Sequence, residues 1–349
     1  MADRNIYPLF FEPVFRDYIW GGRNLETLLG RTIPEGVVAE SWEISGHPSS
    51  STCVENGPLA GLTLPQVQEL LGEALVGTRA RWATDRGKFP LLVKLLDANR
   101  RLSVQVHPSD AYALTHEKGE LGKAEMWYVL YATKGAELIY GLSRHTNAAK
   151  FRAALEGGTL SDLLHRVSIR PGDVISVPTG TIHALLEGVL VAEIQQNSDT
   201  TYRVYDWDRL GHDGRPRPLH VDKAVEVINW DMVRPQVAVP VPLAAAPGAG
   251  GGVAREELCR SPYFVVEKVS LQEGATYAGG CDGTTFEIWG IVSGSAEIGW
   301  AGQRAAFAGA AFAGAAFAAV RFVLLPAALG AFAVHAERPA TLLRVYAPE

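Results

Sequence analysis

Short runs in which apolar and polar residues alternate recur along most of the chain, and this period-two pattern predicts β-strands. Up to about Ser51 such runs, for example VVAESWEIS at 37–45, are separated by turns rich in glycine and proline. The run at 89–98 is apolar except for Lys94, which fits either a buried strand or a helix, and its short length favours a strand. Further strands are predicted at 126–133, 174–177 and 189–194. The chain is therefore predicted to be mainly β.

Helical spacing of apolar residues appears between these strands. At 62–75 it begins with Thr63 as a candidate N-cap and Pro65 in the first turn, and both favour the start of a helix. Asp110, after Pro108, can open a short helix. Other helices are predicted at 146–158, 159–167 and 221–230.

A segment rich in proline, alanine and glycine at 237–252 has the composition of a linker. Beyond it, runs such as FVVEKVSL and FEIWGIVSGSAEIGW predict a second, smaller β-barrel or sandwich. The predicted organisation is a first domain at 1–236 with strands and helices, the linker, and a C-terminal β-domain at 253–349. No element is predicted for the Ala/Phe-rich stretch at 305–322, because its phenylalanines are five residues apart, a spacing that fits neither strand nor helix.

Composition and charge narrow the class of protein. No apolar run reaches the ~18 residues of a membrane span, and no secretory signal pattern is visible, so we expect a soluble, cytoplasmic protein without a membrane partner. The formal net charge of −6 offers no basic surface for nucleic acid. Three cysteines without C-x-x-C spacing argue against disulfides and a cysteine metal site. A metal would therefore be held by His, Glu and Gln.

Three segments carry such ligands. In PGDVISVPTGTIHAL, proline and glycine turn the chain sharply before His183, which can point from a strand start into a barrel interior. In VQVHPSD, Gln105 and His107 are two residues apart and share one face of a strand. Glu125 begins an apolar strand, where an inward carboxylate needs a cation or a partner. Taken alone, His183 is explained more readily as a core histidine, and the Gln105–His107 pair as a polar strand face, but together the three segments indicate a metal site.

Two imidazoles, one carboxylate and one amide oxygen suit zinc, with water or substrate completing the coordination. Manganese, iron and cobalt fit these ligands almost as well. The sequence therefore indicates an open site of catalytic type and leaves the metal undecided.

Further charged residues lie close to these ligands in the sequence. Asp199 and Arg203 follow the strand at 189–194, although a surface ion-pair loop would explain them equally well. Lys123 precedes Glu125 by two residues and shares its sheet face if the strand begins there. A lysine beside a metal-bound carboxylate can serve as an acid or base, or it can bind an anionic substrate.

Taken together, these motifs resemble the type I phosphomannose isomerases, in particular the short bacterial form without a large helical insertion. The similarity covers about the first 230 residues and runs through FFEPVFRDYIWGGRNL, AESWEIS, FPLLVKLLDA, LSVQVHPSD, GKAEMWYVL, VPTGTIHALLEG and EIQQNSDTTYRVYD. The resemblance implies cupin (jelly-roll) barrels: a catalytic N-terminal cupin with helical additions, and a smaller C-terminal cupin-like β-domain without a metal site.

The resemblance also implies roles for individual residues. It assigns one zinc ion per chain to Gln105, His107, Glu125 and His183. It assigns catalysis in the sugar site to Lys123, Asp199 and Arg203. Lys94 and Ser103 match positions that contact the substrate phosphate in related enzymes. Gly122 stands where long members of the family have a histidine, so any ring-opening role of that histidine must fall elsewhere in this chain.

The implied reaction is the reversible conversion of D-mannose 6-phosphate to D-fructose 6-phosphate through a cis-enediol. Lys123, Asp199 or a zinc-bound water would move the proton, and Arg203 would stabilise the developing negative charge. Two alternatives remain open: another metal-dependent cupin enzyme, such as a glucose-phosphate isomerase or an oxygenase, and a non-catalytic cupin that binds sugar phosphate. A monomer and a homodimer are both compatible with the sequence.

Overall fold

The computed structural model describes residues 6–244, 251–300, 303–308 and 320–349. The strands of the first part are Leu9–Glu12 (β1), Val14–Arg16 (β2), Glu40–His47 (β3), Ser50–Ser51 (β4), Cys53–Val54 (β5), Leu91–Ala98 (β6), Val104–Val106 (β7), Glu125–Ala132 (β8), Glu137–Leu142 (β9), Leu164–Ser168 (β10), Val174–Val177 (β11), His183–Leu185 (β12), Val189–Gln196 (β13) and Tyr202–Tyr205 (β14). Those of the second part are Val241–Leu243 (β15), Val253–Arg260 (β16), Val265–Leu271 (β17), Thr276–Cys281 (β18), Glu287–Trp300 (β19), Gln303–Ala308 (β20), Arg321–Leu325 (β21) and Gly330–Tyr346 (β22). The chain is mainly β, as predicted.

The helices are short and connect or cover the strands. They are Asn24–Thr27 (α1), Leu64–Leu71 (α2), Glu73–Val76 (α3), Arg81–Thr84 (α4), Asp110–His116 (α5), Ala148–Glu156 (α6) and Val221–Val227 (α7), with 3-10 turns at Gly57–Leu59 and Leu160–Leu163. Thr63 caps α2, because its hydroxyl accepts from the Gln66 amide while the Gln66 side chain reaches back to the Thr63 amide. None of the described helices has the length and apolar character needed to cross a membrane.

Two sheets build the first barrel. One has five strands in the order β10-β9-β12-β7-β14. The other has seven, in the order β11-β8-β13-β6-β3-β2, with β4 added to β3. Every described pairing within them is antiparallel. Apolar residues from both sheets pack between them, and the polar exceptions on the inner faces form the site described below.

A third sheet of ten strands forms the second part and also takes in the start of the chain. Strand β1 pairs with β21, with Leu9 opposite Leu324, and it pairs with β5 on its other side. One apolar core continues between the two parts, where the rings of Phe89 and Phe286 lie 5.3 Å apart. The domain boundaries drawn from the sequence remain a prediction, and the first strand of the chain is hydrogen-bonded to the C-terminal part.

The linker and the Ala/Phe-rich stretch are only partly within the described residues. Within the predicted linker, β15 is a short strand that pairs with β16, and 245–250 lie outside the described residues. At 305–322, the backbone of β20 pairs with β19, whereas 309–319, with Phe312 and Phe317, lie outside them.

One local prediction was wrong. The segment at 159–167 is not a helix: a 3-10 turn leads directly into β10, which pairs with β9. Its apolar spacing is compatible with a helix and with a strand. The strand forms because the segment can pair with the edge of β9. Strand β8 begins at Glu125, so the condition under which Lys123 would share its sheet face is not met, and Lys123 belongs to the preceding loop.

Candidate active site

In the five-stranded sheet, the strand register places three of the predicted site residues side by side. Gln105 at the centre of β7 lies opposite His183 of β12 on one side and opposite Arg203 of β14 on the other. Because directly opposed residues in antiparallel strands point to the same face, all three side chains are presented together.

The seven-stranded sheet contributes the acidic residues. Glu193 of β13 lies opposite Lys94 of β6, and Gln195 of β13 lies opposite Glu125 of β8. Lys94, Glu125 and Glu193 are each at most 2% exposed. Burial of this kind requires compensating charges or ligands close by.

His107, Glu125 and His183 form one buried cluster, in which a ligand atom from each residue lies within 4.8 Å of the other two. The distance from Glu125 Oε2 to His107 Nε2 is 3.5 Å, and from Glu125 Oε1 to His183 Nε2 it is 3.2 Å. Gln105 joins them, with its Nε2 atom 3.3 Å from His183 Nε2. The structure therefore brings together the four residues that the sequence pattern singled out.

A hydrogen bond at Nδ1 of each imidazole determines which tautomer faces this cluster. His107 Nδ1 lies 2.9 Å from the carbonyl oxygen of Thr200, and His183 Nδ1 lies 2.8 Å from that of Thr181. A carbonyl accepts, so both Nδ1 atoms carry protons, and in a neutral ring this leaves the Nε2 lone pair on the side of Glu125. A cation bound between these lone pairs and the carboxylate would be stabilised by all three groups.

Glu125 Oε1 is buried without a hydrogen-bond partner in the described part of the chain. A divalent ion held by two imidazole nitrogens and this oxygen would satisfy it, and the donor set is one that zinc and its neighbours accept. Ligation by Gln105 needs its amide oxygen turned toward the cluster, an exchange of amide oxygen and nitrogen that leaves the rest of the side chain in place. The residues present fit a metal.

Lys123 touches this cluster directly. Its Nζ atom donates to Glu125 Oε2, lies 3.2 Å from His107 Nε2, and is 4.0 Å from Glu193 Oε1. It reaches Glu125 from the loop before β8. Its backbone N–H donates to the carbonyl of Pro108.

The electrostatics of the cluster follow from burial and from Lys123. Burial, followed by the charge of Lys123, lowers the pKa of His107 to about 3, so this imidazole is neutral at physiological pH. Burial works to raise the pKa of Glu125, but Lys123 and His107 outweigh it and hold that pKa well below its ordinary value. A neutral imidazole beside an ionised carboxylate is the protonation state that metal binding requires.

A polar cavity of about 250 Å³ opens beside the cluster. Six of the predicted site residues line it, namely Lys94, Ser103, Gln105, Lys123, Asp199 and Arg203. Lys123 lies in the cavity wall and also contacts Glu125, so the cavity and the candidate metal cluster form one site.

Lys94, predicted to contact phosphate, is held by two carboxylates. Its Nζ atom is 3.4 Å from Glu40 Oε2 and 3.7 Å from Glu193 Oε2, and it lies over the ring of Trp42. Burial works to lower the pKa of Lys94, but Glu40 and Glu193 outweigh it and raise that pKa. Ser103 donates to the amide oxygen of Gln105 at 3.4 Å.

Several residues of the site were missed from sequence. Glu40 and Glu193 line the cavity, and the signal for Glu193 was the same as for Glu125, a carboxylate inside an apolar strand run. Trp127 donates to Glu193 at 2.8 Å, and burial raises the pKa of Glu193. Arg217 and His220 also line the cavity, but nothing in their local sequence distinguishes them from surface residues.

Comparison with known proteins agrees with this geometry. The family profile described as phosphomannose isomerase type I, catalytic domain, matches residues 9–145. A mannose-6-phosphate isomerase of Bacillus subtilis is 47% identical over 226 residues, 64% of this chain and 68% of that protein. The enzyme of the same name from Streptococcus mutans is 40% identical over 280 residues, 77% of this chain and 83% of that protein. The crystal structure of a mannose 6-phosphate isomerase from Bacillus subtilis superposes with a TM-score of 0.82 at 34% identity, covering 97% of this chain and 99% of that one.

A cupin-type barrel with an inward-facing cluster of metal ligands beside a polar cavity defines the class of metal-dependent cupin enzymes. Within that class, the chain belongs to the type I phosphomannose isomerase family. It is an isomerase, and the family together with the His-Glu-His cluster indicates a metal cofactor.

Proposed function

We propose that this chain interconverts D-mannose 6-phosphate and D-fructose 6-phosphate, using one divalent metal ion per chain. The observation that carries the proposal is that Lys123 contacts the buried His107–Glu125–His183 cluster and also lines the cavity with Asp199 and Arg203. A passive sugar-binding protein gains little from acid, base and metal-ligating groups placed so close together. The names and similarity of the relatives support the same substrate pair.

We assign the metal to Gln105, His107, Glu125 and His183, and we propose zinc. When bound, a divalent ion supplies polarisation of the sugar carbonyl and stabilisation of negative charge in the enediol. The chain's own contribution is to orient the two imidazoles through the hydrogen bonds to Thr200 and Thr181 and to hold the Glu125 carboxylate ionised.

Isomerisation moves a proton between C1 and C2, so one group must accept it from one carbon and return it to the other. Asp199 is suited to this task, because no ion pair or hydrogen bond occupies its carboxylate within the described residues while it lines the cavity. Lys123 and Arg203 place positive charge on the same cavity, where they stabilise negative charge on the sugar oxygens. We therefore propose Asp199 as the proton carrier and Lys123 and Arg203 as the stabilising cations.

Lys94 and Ser103 remain our proposal for contacts with the substrate phosphate. Glu40 and Glu193 compensate most of the charge of Lys94. Its role is then that of a fixed hydrogen-bond donor more than that of a free cation. We further propose that the chain works in the cytoplasm, as a monomer or homodimer, without nucleic-acid or membrane partners.

The test is conversion of mannose 6-phosphate to fructose 6-phosphate by purified protein, before and after chelation and with zinc restored. We expect activity that is lost on chelation and returns with zinc. A folded, metal-loaded sample that binds sugar phosphate without turning it over would contradict the proposal and favour a binding protein.

The ligand assignment is tested with Glu125→Ala. Loss of the carboxylate should remove the metal and lower kcat by at least about 100-fold, because metal-ligand bonds and charge stabilisation are lost together. Glu256→Ala is the control, since Glu256 pairs with Lys268 in the second part of the chain and does not belong to the cluster or the cavity wall. Full metal content and turnover in Glu125→Ala would rule out the site as assigned.

A further inference from the structure

His220 is a titratable residue on the cavity wall that the mechanism above does not use. It stands immediately before α7 and lines the cavity together with Arg203 and Arg217. It is not part of the His107–Glu125–His183 cluster.

The backbone and ring of His220 hold Arg203 from two sides. The His220 amide donates to the Arg203 carbonyl at 2.7 Å, and the Arg203 amide donates to His220 Nδ1 at 3.2 Å. The Arg203 guanidinium donates in turn to the carbonyl of Pro218 at 3.0 Å. The segment 218–220 therefore fixes both the backbone and the side chain of Arg203.

These hydrogen bonds also set the tautomer of His220. Because Nδ1 accepts a proton donor, a neutral ring carries its proton on Nε2. Burial, followed by the charges of Arg203 and Lys223, lowers the pKa of His220, while Glu117 opposes this effect. Tyr202 packs near the ring, at 6.3 Å between centroids. At neutral pH the ring is thus uncharged, with an N–H at Nε2 that no protein acceptor occupies in the part of the chain the structure describes.

The neighbouring cationic side chains of the cavity are already engaged by the protein. Arg217 makes two hydrogen bonds to Asp206, at 2.7 and 2.6 Å. Lys94 lies between Glu40 and Glu193. The Nε2–H group of His220 can therefore donate to a ligand without first breaking a hydrogen bond or ion pair within the protein.

We propose that His220 contacts the substrate, donating from Nε2 to an oxygen of the bound sugar phosphate while its Nδ1 holds Arg203 in place. This inference rests on the function proposed above. A hexose phosphate presents oxygens around its whole surface, and a neutral donor can serve any of them without the desolvation cost of a charge.

Asparagine separates the two roles, because its amide oxygen can replace Nδ1 as the acceptor for Arg203 while it has no counterpart of Nε2. We expect His220→Asn to lower kcat/KM for mannose 6-phosphate about tenfold, mainly through KM, as for one lost hydrogen bond. His220→Ala should lose more and should also lower kcat, because the Arg203 amide then loses its acceptor, Nδ1, and Arg203 is held less firmly. Asp222→Asn is the matched control and should match the wild type, since Asp222 lies two residues away and forms only an exposed pair with Arg152.

The results are compared at equal metal content and equal far-UV circular dichroism. If His220→Asn has wild-type kinetics while His220→Ala is impaired, His220 only positions Arg203. This result would overturn the proposed contact with the substrate. If His220→Asn does not fold, ¹⁵N-histidine spectra of the wild-type enzyme decide: an unchanged His220 Nε2–H signal on addition of mannose 6-phosphate overturns the proposal, and a shifted one supports it. Failure of the wild-type enzyme to turn over would instead refute the function proposed above.

Discussion

Charged side chains in this chain are buried beside partners that lie far away in the sequence. Arg31 makes two hydrogen bonds to Glu43, at 2.6 and 2.8 Å, with less than a tenth of either side chain exposed. Lys94 lies between two carboxylates in the same way. A charge inside an apolar run was visible in the sequence as a signal, but its partner was not, because strand pairing decides which charges meet.

Asp206 allows the contribution of one buried ion pair to stability to be tested. It accepts hydrogen bonds from Arg209 and Arg217 and is 5% exposed. Burial works to raise its pKa, but the two arginines outweigh it and hold the pKa below the ordinary value of 3.8. A lowered folded-state pKa means that the stabilisation is present above the unfolded pKa and is lost as the pH falls through the folded value.

We expect Asp206→Asn to lower the free energy of unfolding by about 1–3 kcal/mol at neutral pH. The deficit should be constant between about pH 8 and pH 5 and should shrink below about pH 4, where the carboxyl group takes up a proton in the unfolded chain before it does so in the folded protein. Urea unfolding across this range measures it. The exposed Asp222→Asn should change the free energy by no more than about 0.5 kcal/mol. A deficit that stays constant down to about pH 3 would show that packing, and not charge, causes it.

At the scale of elements, the loop that carries Lys123 is fastened to the start of α5. Asp110 Oδ1 accepts from the Gly122 amide at 2.7 Å and from the Gln196 side chain at 2.9 Å. Gln196 in turn accepts from the Ala124 amide at 3.0 Å. Lys123 therefore reaches Glu125 from a loop held on both sides, and this anchoring explains why it contributes to the site although it is not part of β8.

Gly122 is the residue that this close contact requires. A Cβ atom there would lie 2.5 Å from the backbone nitrogen of Asp110, so the loop and the helix start cannot both stay in place. We expect Gly122→Ala to lower the free energy of unfolding by about 1–3 kcal/mol and to lower kcat by displacing Lys123. Thermal unfolding and steady-state kinetics measure the two effects.

Gly251→Ala provides the control, because a Cβ atom at Gly251 would meet no atom within 4 Å. Normal stability and turnover in Gly122→Ala would contradict the anchoring of the Lys123 loop. The close contact also leaves no room for the histidine that longer relatives carry at this position.

At the scale of the whole molecule, the two parts share structure that a division at the linker would break. Strand β1 pairs with β21, and buried residues such as Phe89 and Phe286 pack across the junction. The predicted catalytic domain, 1–236, contains β1 and its partner β5 but not its other partner, β21. Its separation would leave one edge of β1 unpaired and an apolar surface exposed, both of which favour aggregation.

We therefore expect a chain truncated after residue 236 to be insoluble or unfolded, and inactive. As the control, a protease site inserted at 245–250 lets the full-length protein fold first and be cut afterwards. The two pieces should then co-elute in gel filtration and keep turning over mannose 6-phosphate. A soluble, active 1–236 fragment would show instead that the first part folds independently.

Much of the first barrel could be predicted from the pattern alone. Strands β6, β8, β11 and β13 and helices α2 and α6 lie where alternation, apolar runs and capping residues placed them. The four residues of the proposed metal site could be singled out because glutamine, histidine and glutamate stand out at strand positions that are otherwise apolar. Strand β10 could not, since its short apolar spacing fits a helix equally well and only the neighbouring β9 selects the strand.

The sequence by itself determined which residue types are available to the site and on which face of a strand each lies, because the two-residue period of a strand is a local property. Only the tertiary structure decided that Gln105 lies between His183 and Arg203, that Glu193 compensates Lys94, and that His220 closes the wall beside Arg203. These contacts depend on strand register and join residues up to about a hundred positions apart in the chain. No local sequence pattern encodes them.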